Sequence, residues 1–219
     1  MPFTLAPVIP PGTFSSAPQP VLPTASGELL LRPAQPADAQ AVFEAFQDPV
    51  LQYWHIRTMD SLDEAHAWIE QVHRGWAEET AAQWIVARAD DDAALGRMAL
   101  RTMDLTEGVA EVAYWVLPGA RGLGVAPRAL ATVTRWALDA GFHRLDLLHS
   151  TGNAPSCRVA EKTGYALEGT RRSSALHADG WHDMHTHVRI ADDPASGRPA
   201  PHDVPRDVPH DTKVPHKRS

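Results

Sequence analysis

An apolar run from Val109 to Leu117 is followed by Arg121-Gly-Leu-Gly-Val-Ala126 and then by a helical pattern that begins at Pro127. Leu130, Val133 and Ala137 mark one face of that helix, Gly141 supplies a left-handed stop, and Arg144 to Leu148 reads as the next strand. A strand, a crossover helix and a second strand make parallel neighbours, so one parallel pair is expected inside the sheet. The turn itself suits an anion. Gly122 and Gly124 let the backbone approach a ligand closely, and the first amides of the helix have no internal acceptors and lie at its positive end.

The remaining elements predict an antiparallel setting for that pair. Glu28 to Arg32 reads as a first strand, while Pro36 to Phe46 and Ser61 to Glu79 read as helices. Gln83 to Ala89, Leu95 to Met103 and Val109 to Leu117 are strand-like with short polar links, which predicts a meander. After Arg144 to Leu148, a helix from Asn153 to Gly164 leads to strands Tyr165 to Gly169 and Asp183 to Ile190. The fold expected is α+β: a mixed, mostly antiparallel sheet of about seven strands with flanking helices.

Three segments follow from this reading. Residues 1–26 are a proline-rich arm without periodicity, which Phe3, Leu5, Val8, Ile9 and Phe14 could hold against the domain. Residues 27–190 form the folded domain. Residues 191–219, with Val-Pro steps among charged residues and histidines, are expected to be a disordered tail.

Composition narrows the function classes. A net charge of -7 argues against nucleic acid, whose phosphates call for a basic face. Cys157 is the only cysteine, which excludes an intrachain disulfide and paired-cysteine metal sites and favours a reducing compartment. Prolines interrupt the opening segment before a signal-like apolar core forms, and no apolar stretch is long enough to cross a bilayer. A soluble cytoplasmic protein, monomer or homodimer, is expected.

The order Val112-Ala-Tyr-Trp-Val116, Arg-Gly-Leu-Gly-Val-Ala, Asn153-Ala-Pro-Ser156 and Val159-Ala-Glu-Lys-Thr-Gly-Tyr-Ala-Leu-Glu-Gly-Thr-Arg171 resembles the GNAT N-acetyltransferases, and within them the branch of ribosomal-protein N-terminal acetyltransferases. Leu-Arg-Pro with Asp38-Ala39 before it, and Asp179-Gly-Trp181 with Asp183 after it, also fit that branch. The resemblance implies acetyl-CoA as donor and an amine, a peptide N-terminus or a small molecule, as acceptor. It implies a splayed sheet that admits the pantetheine arm, with Val116, Arg121, Gly122, Leu123, Gly124, Val125, Ala126, Asn153, Ser156 and Arg158 on the cofactor. Trp54, His55 and Tyr114 would shape the acceptor site, the first two from a loop after the first helix. Arg128 and Lys162 are further basic residues near the cofactor phosphates.

Direct transfer needs a base for the amine and a proton for the departing thiolate. Glu111 is the base candidate, on the same strand face as Ala113 and Trp115; it equally suits a cross-strand pair, and Glu168 and Asp183 are alternatives. Many acetyltransferases of this fold carry a tyrosine donor where this chain has Ala160, so the resembled branch points to Ser156 instead. Asn153 can hold the pantetheine or cap its helix. Losing the tyrosine keeps a second reading open, an acyl-CoA-binding sensor or partner-binding module with little turnover. Cys157 is expected to behave as a small hydrophobe. No metal is expected: His182, His185 and His187 with Asp183 invite one, but alternation puts Asp183, His185, His187 and Arg189 on a polar face opposite Met184, Val188 and Ile190.

Overall fold

The structure, a computed structural model, describes residues 5–55 and 57–193. Eight strands form one sheet in the order β1-β2-β3-β4-β5-β6-β8-β7. They are β1 (Leu22–Pro23), β2 (Leu29–Arg32), β3 (Ala82–Arg88), β4 (Ala94–Asp104), β5 (Val109–Val116), β6 (Arg144–Ser150), β7 (Ala166–His177) and β8 (Gly180–Ile190). All neighbours are antiparallel except β5 and β6, the parallel pair that the crossover predicted. The strand beyond the expected seven is β1, two residues of the proline-rich arm that pair with β2.

Helices cover both faces, so alternate side chains of one strand enter different cores. Trp84 and Val86 of β3 join Met98, Leu100, Leu130 and Leu147 under α4 (Val125–Asp139) and α5 (Ala154–Lys162). Ile85 and Ala87 face the other way, with Trp115, onto α1 (Ala39–Gln47), α2 (Pro49–His55) and α3 (Leu62–Ala77). Burial from both sides explains why the central strands lack a clean polar alternation. A bidentate ion pair between buried Arg32 and Asp38, 2.8 Å on each arm, fastens β2 to the start of α1.

The arm belongs to the first core. Ile9 and Phe14 are buried, whereas Leu5 and Val8 are exposed, and Phe3 lies outside the described residues. Phe14 sits 5.7–5.9 Å from the rings of Trp76, Trp136 and Phe142. The Glu79 carboxylate accepts from the amides of Gly12, Phe14 and Ser15. Arm carbonyls in turn receive indole N–H groups: Ala17 from Trp76 at 3.0 Å and Pro20 from Trp84 at 2.9 Å.

Three expectations are corrected. Tyr53, Trp54 and His55 lie on α2 rather than on a loop, because Pro49 opens a further helix just after α1 ends. The last two strands form a long hairpin, with β7 reaching His177 rather than Gly169. The supposed polar face of β8 is covered at its C-terminal end, where His187 is 1% and Arg189 8% exposed, as buried as Val188, while Asp183 stays exposed and His185 half-buried. The expected disordered tail falls almost wholly outside the described residues, from 194 onward.

Candidate active site

The site begins where the parallel pair ends. Register joins Val109–Val112 to Arg144–Leu147, after which β5 stays with β4 and β6 stays with β8. Gly96 of β4 permits this divergence: a Cβ there would stand 2.5 Å from the Trp115 carbonyl oxygen, so only glycine lets the end of β5 lie so close to β4. The result is a fork bounded by Ala113 to Val116 on one side and Leu148 to Ser150 on the other.

One chemical link spans the fork. The Tyr114 hydroxyl of β5 lies 2.9 Å from the Ser156 hydroxyl of α5. Burial pushes the Tyr114 phenol up to about 12, against the lowering effect of the Ser156 hydrogen bond. It therefore remains a proton-bearing hydroxyl at physiological pH.

Above the fork the glycine turn has the geometry that an anion requires. Gly122 and Gly124 have φ of 78° and 72°, in the left-handed region, and a Cβ built at Gly122 meets nothing within 4 Å. No side chain caps α4. Arg128 instead donates to the carbonyls of Leu123 (2.9 Å) and Gly124 (3.1 Å), which occupies the carbonyl side of the turn. Open amides at a helix start, with a glycine approach, fit a pyrophosphate.

The chemistry of this fork agrees with the comparisons. The acetyltransferase (GNAT) domain family matches residues 28–166. The chain belongs to the GNAT acetyltransferases. A Bacillus subtilis N-acetyltransferase of uncharacterized role is 27% identical over 155 residues, covering 70% of this chain and 86% of that protein. A ribosomal-protein-serine acetyltransferase of Escherichia coli is 25% identical over 103 residues, 47% of this chain and 58% of the relative. Mycobacterium smegmatis RimJ, solved with CoA-disulfide, shares the fold with a TM-score of 0.71 at 19% identity, covering 81% of this chain and 90% of that one. This GNAT enzyme is therefore an acetyl-CoA-dependent N-acetyltransferase.

The sequence-predicted residues divide over the GNAT scaffold. Val116, Gly122, Leu123, Gly124, Val125 and Ala126 line the end of β5 and the turn; Val116 uses its carbonyl to accept from Arg121 Nε at 3.1 Å. Arg121 also pairs with Asp48, so it ties the turn to the α1–α2 junction. Arg158 is exposed on α5, as is Lys162. Asn153 does cap α5, its side chain accepting from the Ser156 amide at 3.2 Å. Ala160 is fully buried in the first core, where no acidic proton is available. Glu111 belongs to the paired stretch behind the fork, and Arg101 on β4 holds its carboxylate in the cross-strand pair that was the competing reading. Glu168 is likewise engaged, bidentately with Arg144, and Asp183 accepts from the Ser173 amide.

Side chains of α2 and of the β7–β8 hairpin converge on the end of β6 and the loop before α5. Trp54 reaches the loop before α5: a Cβ on Gly152 would lie 3.8 Å from its ring. Tyr53 donates to Asp179 at 2.7 Å, and its carbonyl lies 3.1 Å from His177 Nδ1. His182 bridges Asp179 and Ser150 at 2.9 and 2.8 Å. Sequence reasoning missed His177 and Ser150 and named Asp179 only as part of the resemblance, because a shortened hairpin hid their proximity to Tyr53. His55 is held neutral, its pKa lowered to about 4 by burial and by Arg97 and Arg101. Burial and the charges of Arg101 and Arg57 also depress Arg97, which donates to Gln83 at 2.7 Å and lies over Trp68. Arg57, Arg97 and Arg101 thus place positive charge around His55, that of Arg101 compensated by Glu111.

Proposed function

We propose that this acetyltransferase transfers the acetyl group to a primary amine, a protein N-terminal α-amine or a small-molecule amine, by direct attack without a covalent enzyme intermediate. The observation that carries the reading is the Tyr114–Ser156 link across the fork. The bound donor supplies an activated thioester carbonyl. The amides of Gly122 to Ala126 hold its pyrophosphate, and the gap past Val112 admits the arm beside Asn153. Ser156, on the first turn of α5, donates a hydrogen bond to the departing sulfur, and Tyr114 supports it from behind. With Glu111 committed to Arg101, the amine proton reaches that carboxylate through water rather than by direct contact.

The positive charges of Arg57 and Arg97, with Arg101 compensated by Glu111, favour an acceptor that carries a carboxylate or acidic side chains near its amine. Similarity to the ribosomal-protein-serine acetyltransferase makes an N-terminal peptide the first acceptor to try. The test is thiol release from acetyl-CoA in the presence of acidic N-terminal peptides, neutral peptides, amino acids, aminoglycosides and polyamines. Acidic peptides are expected to give the highest kcat/KM and polyamines the lowest. Turnover with none of them, despite a rise in Tm with acetyl-CoA, would leave the sensor reading instead.

A further inference from the structure

Beneath α5, apart from the fork, the fold gathers three imidazoles and the chain's one thiol. His149 on β6 stands opposite His185 on β8, and His187 lies two residues further along the same face. α5 closes over them and brings Cys157 Sγ to 3.8 Å from His187 Nε2. One ligand atom from each of these four residues lies within 4.8 Å of all the others. From these positions we infer that His149, His185, His187 and Cys157 form a tetrahedral site for a borderline-soft divalent cation, of the class of Zn²⁺.

The hydrogen bonds prepare the imidazoles as ligands. His149 Nδ1 lies 2.8 Å from the Ser150 carbonyl, and a carbonyl only accepts, so the proton sits on Nδ1 and the lone pair on Nε2. That Nε2 is buried with no hydrogen-bond partner among the described residues, on a side chain 5% exposed. His187 repeats the arrangement, with Nδ1 3.3 Å from the Tyr165 carbonyl and Nε2 facing Cys157. Backbone carbonyls behind the outer nitrogen are how metal-binding imidazoles are oriented. His185 adds a second buried, unpartnered nitrogen, Nδ1.

Size agrees with chemistry. Bonds of about 2.0–2.1 Å to nitrogen and about 2.3 Å to sulfur put tetrahedral ligand atoms roughly 3.3–3.8 Å apart. Cys157 Sγ and His187 Nε2 already stand 3.8 Å apart, and none of the four ligand atoms lies more than 4.8 Å from another. Cys157 now donates its thiol proton to Glu161 at 3.5 Å; on binding, that proton leaves and the thiolate becomes the fourth ligand, one H⁺ per cation. The His182 and Asp183 pair that the sequence offers is not part of the set, since His182 serves Ser150 and Asp179. A cation here would lock α5 to β6 and β8, one residue beyond Ser156, and so fix the donor hydroxyl in place.

Cobalt substitution tests this. Full-length protein stripped with chelator and titrated with Co²⁺ should develop red-region bands of tetrahedral cobalt together with near-ultraviolet thiolate charge transfer, saturating at one ion per chain and bleached by Zn²⁺. Because Cys157 is the only cysteine, the charge-transfer band reports this site alone, even beside the chain's other histidines. Cys157→Ser should abolish that band and His149→Gln should weaken Co²⁺ binding at least tenfold. Zn²⁺ should raise Tm in the parent and not in Cys157→Ser. A spectrum without charge transfer at one equivalent, or a Tm indifferent to Zn²⁺, overturns the site. If His149→Gln fails to fold, Cys157→Ser decides alone.

Discussion

Two helices start side by side at the mouth of the fork, α4 after β5 and α5 after β6, and they end their strands in opposite ways. α4 opens through Gly124 with no side chain on its amides, and Arg128 occupies the carbonyls of its turn. α5 opens through Asn153, whose carboxamide fills the place that an anion would take, and its first turn presents the Ser156 hydroxyl. On the proposed function, one helix start receives a ligand's charge through its backbone and the other delivers a proton-bearing side chain. A helix dipole alone therefore does not define an anion site; what caps it does.

The contrast can be broken first at the open end. Gly124→Asp installs one of the residues that best tolerate positive φ, at a stability cost of about 1 kcal/mol, and would put a carboxylate at the proposed pyrophosphate site. Acetyl-CoA Kd, measured by calorimetry, should rise about 10- to 100-fold, roughly 1.4–2.8 kcal/mol. An unchanged Kd would remove the turn from the cofactor site. At the other end, Ser156→Ala should lower kcat by about 100-fold with Kd for acetyl-CoA within about twofold. If Kd moved and kcat did not, α5 would be a binding helix and the division would fail.

Smaller effects sharpen it. Tyr114→Phe removes one hydrogen bond to Ser156, and a loss of about threefold to tenfold in kcat is expected, absent in the Ser156→Ala background. Asn153→Ala should cost about 1 kcal/mol of stability, a drop of about 2–4 °C in Tm, as a lost cap does. Should it weaken acetyl-CoA as much as Gly124→Asp, both helix starts hold the cofactor.

What could be read in advance was local. The turn, the parallel pair and the caps of α4 and α5 each rest on neighbours in sequence, glycines with positive φ and an apolar run of the right length. α2 escaped because Tyr53 to His55 carry no amphipathic period over so few residues, and only Pro49 signalled a start. β8 was misjudged because alternation assumes one solvated face, whereas α5 covers the face that holds His187. Ser156 and Tyr114 were each named, but their contact joins positions 42 apart in the chain. The same holds for the convergence of His149 and Cys157 on the β8 histidines.

The proline-rich arm changes where this protein can be cut. The family match begins at residue 28, yet the indoles of Trp76 and Trp84 donate to carbonyls at Ala17 and Pro20. Trimming to the family boundary would orphan both donors and uncover the aromatic cluster that Phe14 seals. The folding unit is thus expected to reach beyond the matched family domain, and a fragment that begins at residue 28 should melt below the full chain.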